Sequence, residues 1–464
     1  MTDPQQPADL PAVDLVAAYR SGQLSPVEVV VAVLARVEAW EPKLCATYAV
    51  DPDGAREAAR AAERRWRAGE PAGPLDGVPV TVKDNIATRG VPVPLGTAAT
   101  EPVPAVADAP AAARLRESGA VFVAKTTMPD YGMLSSGVSS FHHLARNPWD
   151  LARTPGGSSS GAGAAAAAGY GPLHVGTDIG GSIRLPAGWC GVVGLKPSFG
   201  RFPVDPPYPG RVVGPMTRTV ADTALLASVL SRPDARDHTS LPPADIAWSE
   251  LDGRLRGVRV GLLADHGVGL AVEPAVAEAV AEAARLFESA GAVVEPVAPF
   301  LTREMLDGLD RFWRFRSWTD ISALPPERRE KVLPGIARWA GSARDLTAAE
   351  VFHGFSQMDA ISRAANQVVR ELDYVLSPVA PIPAFAAELA YPTDDPLRPF
   401  EHIAFTVPYN FSGQPAVSVN CGWTPDGLPI GLQIAGRRFD DLGVLRMARA
   451  YERLRPAQRP WPVL

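Results

Sequence analysis

The chain has 464 residues, with 45 basic and 51 acidic side chains and a formal net charge of −6. Apolar residues make up 46% and charged residues 21%, ordinary globular values that exclude disorder as a description of the whole chain. The acidic balance lacks the positive field that a general nucleic-acid binder needs, and the length suffices to bury a large core without staples.

Cys45, Cys190 and Cys421 are odd in number and share no CxxC spacing. That predicts no disulfide framework and a reducing, cytoplasmic setting. Met1–Asp14 carries Asp3, Asp9 and Asp14 and no base, unlike a secretory leader. The most apolar run, Gly161–Gly171, is too short and too rich in Ala and Gly to span a bilayer. The expectation is a soluble protein without a membrane partner.

Ser25-Pro26-Val27-Glu28 combines a cap, a proline at the first helical position and a glutamate three after the cap, which predicts a helix to Trp40. A second helix is predicted over Asp53–Arg67, and Gly69–Pro74 reads as a loop. Residues 1–74 form a helical lead-in with too few apolar residues to close a core of their own. Gly77–Val82 predicts a strand ending at Lys83, Ala109–Glu117 a helix and Val121–Lys125 a buried strand. The rhythm returns with strands at Val258–Leu263 and Ala292–Val297 around a helix at Glu273–Ser289. A box at Thr347 and Glu350 opens a long helix to Glu371, and a strand at Tyr374–Leu376 stops before Pro378. Strands at Ala416–Val419 and Pro429–Ile434 flank an Asp426-Gly427 turn, and Asp440–Arg453 predicts a closing helix. Ser231–Leu251 and the Pro-rich stretch Pro378–Pro399 read as loops. This alternation defines an α/β chain.

Chemistry concentrates between Asn147 and Arg201. Gly156-Gly157-Ser158-Ser159-Ser160 precedes an Ala-rich run, and Gly180-Gly181-Ser182 follows. Gly and Ser together often build nothing more than turns. Gly161, Gly163 and Ala166 match G-x-G-x-x-A, but no strand precedes them and no ribose-binding acid follows. A phosphate loop fails for want of Gly-Lys-Ser/Thr, and a Ser-His-Asp hydrolase for want of G-x-S-x-G. His142, His143 and His174 read as surface or structural imidazoles. Serine needs a base, and a desolvated lysine near pKa 7–8 can be one. Lys83, at the end of an apolar strand, is the candidate. Gly180-Gly181 can expose successive N–H groups for an oxyanion, and an Asp178–Arg184 ion pair would brace that loop.

Lys83-Asp84-Asn85, Thr154–Gly163 and Gly176–Pro186 together resemble the amidase signature family. So do Cys190–Pro197, Gly214–Arg218 and Gly427–Gln433. The resemblance implies one large domain with a central mixed, twisted β-sheet covered on both faces by helices. Within it, residues 75–230 would carry the catalytic signature, 231–400 the variable substrate side, and 401–464 the closing strands and helix. It implies a Ser–cis-Ser–Lys triad with Ser182 as nucleophile, Ser158 as bridge after a cis peptide, and Lys83 as base. Ile179, Gly180, Gly181 and Ser182 would supply oxyanion N–H groups, Ser159 and Thr177 would support the triad, and Gly132 with Met133 would touch substrate. Cys190 reads as packing. No metal or other cofactor is expected.

The family includes stand-alone amide, carbamate and urea hydrolases and the glutaminase (A-type) subunit of a tRNA-dependent amidotransferase. Such subunits usually carry a Tyr-rich helix near 347–370, absent here, so the stand-alone amidohydrolase of a small-molecule amide or carbamate ranks first and the glutaminase second. Phe312, Trp313, Phe315 and Trp318, interleaved with Arg314 and Arg316, have a spacing that core helices commonly show, but they fall on the variable substrate side, and the expectation is an aromatic substrate wall with Trp313 and Trp318 as the contacts, the alternative being core packing.

Overall fold

The computed structural model describes residues 6–393 and 395–464. Residues 1–5, where the segment unlike a secretory leader begins, and position 394 in the Pro-rich stretch lie outside the described residues.

Among the described residues eleven strands join in one sheet. They are β1 (Thr47–Tyr48), β2 (Pro79–Lys83), β3 (Val121–Thr126), β4 (Leu173–Asp178), β5 (Val193–Lys196) and β6 (Val212–Thr217). Then follow β7 (Arg259–Leu262), β8 (Val293–Pro296), β9 (Tyr374–Pro378), β10 (Ala416–Trp423) and β11 (Pro429–Gly436). Their order is β1-β3-β2-β4-β6-β5-β10-β11-β9-β7-β8. The sheet is mixed: β2 runs parallel to β3 and β4, β7 runs parallel to β8 and β9, and the strands between these groups pair antiparallel. Helices flank it. Because β2 and β4 are parallel, their carboxyl ends, Lys83 and Asp178, open on the same edge, where ligands bind in open α/β sheets.

The predicted capping boxes form. Glu28 N donates to Ser25 Oγ (3.2 Å) and Ser25 N to Glu28 Oε2 (2.8 Å), and the helix runs Pro26–Leu44. The second box opens Ala348–Val368. β4, β5 and β6 carried no predicted strand. Every residue in them is buried, so they lack alternation, and Pro215 sits inside β6. β9 continues through Ser377 and Pro378, beyond the predicted stop. The lead-in is tied into the main core: Leu15, Val29, Val33 and Ala59 pack there, and β1 pairs with β3.

A second apolar cluster lies over the site. Helices Arg303–Ser322 and Pro334–Gly341 contribute Leu309, Trp313, Ile336 and Trp339, which pack with Leu185, Trp189 and Ile403. No helix among the described residues is long and apolar enough to cross a membrane.

Candidate active site

Lys83 is the last residue of β2 and has no solvent exposure. Its Nζ lies 2.9 Å from Ser158 Oγ, 3.0 Å from Ser159 Oγ and 3.0 Å from Thr177 Oγ1. Burial pushes the amine down to about 7, against the pull of Asp178 and Asp84, and Arg211 pushes the same way as burial. Lys125 and Lys196 are also buried and also pushed down to about 7, so depression alone does not single Lys83 out. Its partners do: Lys196 donates to a carbonyl, Pro197 O, and Lys125 to Ile86 O and Thr88 Oγ1, whereas Lys83 faces three hydroxyls.

Proton bookkeeping separates those hydroxyls. Ser159 Oγ donates to Thr177 O (3.2 Å). Thr177 Oγ1 faces the Asn85 amide, with Oδ1 at 3.5 Å and Nδ2 at 3.1 Å. Ser158 Oγ has Lys83 as its hydrogen-bond partner among the described residues. A neutral amine donates two hydrogens and accepts one, so Ser158 is the hydroxyl placed to donate to it. The Gly157–Ser158 peptide is cis.

Ser182 is partly exposed and shares one cleft with Ser158, Thr177, Gly132 and Met133. Among the described residues the Ser182 hydroxyl makes no hydrogen bond to Ser158; the two share the lining of the cleft. A Cβ built on Gly132, at φ +69°, would meet Ser158 Oγ at 3.2 Å, so this turn brings bare backbone against the bridging serine.

The loop between β4 and helix Arg184–Cys190 is held by the predicted ion pair. Arg184 Nε and Nη2 each donate to Asp178 at 3.0 Å, both side chains fully buried. Burial would raise the Asp178 carboxyl, but Arg184 and Asn410 hold it well below the usual range. Arg184 Nη1 donates to Thr406 O and Gln433 Oε1, and Nη2 to Asn410 Oδ1. Asp178 also accepts from Gly181 N (2.8 Å) and Ile183 N (3.1 Å). This corrects the expected oxyanion set at one position: the Gly181 N–H is spent on Asp178, while Ile179, Gly180 and Ser182 line the cleft. Gly181, at φ +127°, needs to be glycine, since a Cβ would stand 2.5 Å from Thr406 Oγ1.

Of the aromatic wall, the structure brings Trp313 to the cleft and leaves Trp318 out. A Cβ at Gly180 would lie 3.3 Å from Trp313 Cη2, which puts the indole edge over the oxyanion loop. Trp313 packs edge-on against Phe400, and its Nε1 is buried without a partner. Trp318 is turned into the apolar cluster, facing Gly341, which corrects its assignment as a substrate contact. None of the three histidines lines the cleft. His174 sits between Thr81 and Gly171 and is pushed down to about 3 by burial, His142 bonds Asp84 (2.7 Å), and His143 lines a separate groove. Cys190 is buried packing, with Sγ near Pro155 O.

Sequence reasoning assigned no role to Asn85, Arg211, Phe400, Ile403, Thr406 or Asn410, and read Arg316 only as the wet face of the aromatic segment. Asn85 and Gln433 lay inside quoted motifs. Thr406 and Asn410 carry no local signal, because they meet the loop across 226 and 232 positions.

The family model described as Amidase matches residues 28–445. The A-type subunit of glutamyl-tRNA(Gln) amidotransferase from Myxococcus xanthus (strain DK1622) is 37% identical, covering 97% of this chain and 98% of that protein. Among solved structures, a bacterial aryl acylamidase of the amidase signature family superposes with TM-score 0.89 at 32% identity, over 96% of each chain. The corresponding A-type subunit from Thermotoga maritima superposes with TM-score 0.79 at 28% identity, over 100% of this chain and 99% of that one. The fold and site are those of a hydrolase acting on C–N bonds. The chain belongs to the amidase signature family. The sequence relatives weigh towards the amidotransferase reading that the sequence analysis ranked second.

Proposed function

We propose that the chain is a stand-alone serine amidohydrolase that works through an acyl-enzyme on Ser182. The observation that carries the chemistry is Lys83: a lysine buried among hydroxyls, its proton affinity brought near neutrality, with Ser158 free to donate to it. Ser182 Oγ attacks the carbonyl carbon. Its proton passes to Ser158, whose own proton moves to neutral Lys83. The oxyanion takes the N–H groups of Ile179, Gly180 and Ser182. Ser158 then protonates the leaving nitrogen as the C–N bond breaks and Lys83 returns a proton to Ser158. Water reverses these steps to free the acid. An aryl amide or an aryl carbamate (urethane) fits the Trp313 wall; with a carbamate the C–N break leaves an alkoxycarbonyl group on Ser182, and the carbonate half-ester that water frees from it would lose carbon dioxide.

A second reading, the glutaminase component of a tRNA-dependent amidotransferase, is favoured by the 37% identity to such a protein over 97% of the chain. Against it stands the cleft. Among the described residues its lining holds no Asp or Glu, so the α-ammonium of glutamine would be desolvated without an anion. Two experiments separate the readings. A fluorophosphonate should label Ser182 and fail on Ser182→Ala, whose folding by circular dichroism stays intact; labelling elsewhere with an active variant overturns the mechanism. The isolated chain should hydrolyse acetanilide or a phenyl carbamate and leave glutamine untouched. Glutamine turnover that appears only with co-purified subunits assigns the second reading.

A further inference from the structure

The cleft has a cationic end that neither the triad nor the oxyanion loop uses. The register Asp178↔Val212 between β4 and β6 puts Arg211 opposite Ile179, at the start of the oxyanion loop. Arg316 comes from helix Arg303–Ser322, three residues after Trp313 and so on the same helix face. Both line the cleft with Ser182. Tyr208 lies between them, its ring 5.5 Å from the Arg211 guanidinium and 4.3 Å from that of Arg316.

Neither arginine forms an ion pair with any carboxylate among the described residues, although most arginines of this chain do. The Arg211 guanidinium makes one hydrogen bond among the described residues, to Pro206 O at 3.1 Å, which leaves most of its donors open. Burial pushes its guanidinium down to about 10 and the neighbouring Arg316 adds to that push. Tyr208 Oη and Trp313 Nε1 are buried and without partners in the same region. Two half-buried cations held side by side by one aromatic ring are repulsive as they stand. An anion between them relieves that repulsion and meets the fork geometry of guanidinium groups.

We infer that the substrate carries a carboxylate, received by Arg211 and Arg316, with its apolar body against Trp313, Phe400 and Ile403. The inference deepens the hydrolase reading above and rests on it for the identity of the scissile bond. The carboxylate belongs on an amide whose remainder is uncharged, since the cleft offers a cation no partner.

The test uses two matched pairs of anilides. Glutaranilic acid against pentananilide places the charge on the acyl side; 4-acetamidobenzoate against acetanilide places it on the amine side. Binding to the Ser182→Ala chain is measured by calorimetry, so that binding is read apart from turnover. In at least one pair the acid should bind tenfold or more tightly, and that preference should shrink in high salt. It should vanish in Ser182→Ala carrying Arg211→Met and Arg316→Met. A preference below tenfold in both pairs, or one that the arginine variants retain, overturns the inference. If the multiple variant does not fold, Arg316→Met and Arg316→Lys in the Ser182→Ala background decide: Met should lose most of the preference and Lys keep part, and an undiminished preference in Met overturns the inference. Turnover by the wild-type chain reports separately on the hydrolase. Acid-selective binding without any Ser182-dependent hydrolysis overturns the mechanism and leaves the anion site standing.

Discussion

Lys83 Nζ stands 2.9 Å from Ser158 Oγ, with both side chains closed off from bulk water. The pair joins the end of β2 to a Gly-rich turn 75 positions away, and the proposed mechanism takes its base from this pair and not from a histidine.

If the neutral amine is the working base, kcat/KM should climb about tenfold per pH unit below pH 7 and level off above it, because burial pushes Lys83 down to about 7. Lys83→Met should remove nearly all turnover. A pH–rate profile centred instead near 10, the ordinary lysine range, contradicts this assignment.

The same depression has a thermodynamic sign. Native Lys83, Lys125 and Lys196 are pushed down to about 7, below the roughly 10.4 of an unfolded lysine. Between those values the unfolded chain binds more protons, so stability rises with pH. Below about 7 both states are protonated and the native state bears the whole penalty. Each lysine steepens the rise by up to about 1.4 kcal/mol per pH unit. Lys125→Met and Lys196→Met should each flatten the pH 7–9 slope of urea-unfolding free energy relative to the parent chain, and an unchanged slope counts against the burial argument.

Arg184→Met should cost about 3–5 kcal/mol of stability, since it leaves the fully buried Asp178 carboxylate without its cation. Asp178→Asn should cost turnover as well, as the loop loses an anion that Gly181 and Ile183 donate to. Chemical denaturation and steady-state kinetics on the two variants check this together.

Gly181→Ala should lower kcat by about 10²–10³, because the turn that aims the neighbouring oxyanion N–H groups is distorted although the Gly181 N–H itself is held by Asp178. The backbone at φ +127° excludes the side chain, and its Cβ would strike Thr406 Oγ1. Adding Thr406→Ala should therefore not restore activity. Recovery in the double variant would show that the clash and not the backbone was decisive.

Trp313 and Trp318 should part company. Trp313→Leu should cut the ratio of kcat/KM for acetanilide over acetamide several-fold, since its ring covers Gly180. Trp318→Leu should lower Tm and leave that ratio alone, since its ring packs in the apolar cluster. Equal effects on the ratio would mean that the cleft extends further along the helix.

Local pattern and motif determined a good deal here. The capping boxes at Ser25 and Thr347, the strand that ends on Lys83, and the Gly-Gly-Ser turns were legible because caps, burial runs and φ > 0 turns are decided by neighbours in sequence. The resemblance supplied the family and the positions of Lys83, Ser158 and Ser182. What lies beyond sequence reach is long-range. β4, β5 and β6 hide because His174, Gly176, Gly194, Gly214 and Pro215 interrupt the apolar runs that revealed β2 and β3, and burial on both faces leaves no alternation to read instead. The commitment of the Gly181 N–H depends on where the Asp178 carboxylate points, and that is fixed by Arg184, Thr406, Asn410 and Gln433 from across the fold. Trp313 and Trp318 are equivalent in composition, yet the crossing of one helix over the oxyanion loop turns the first to the cleft and the second to the core. Arg211 and Arg316 are two unremarkable charges in the sequence. Only the pairing of β6 with β4 and the packing of the Trp313 helix bring them to one wall, because a cation's meaning is set by which groups share its space, and that is decided by tertiary structure.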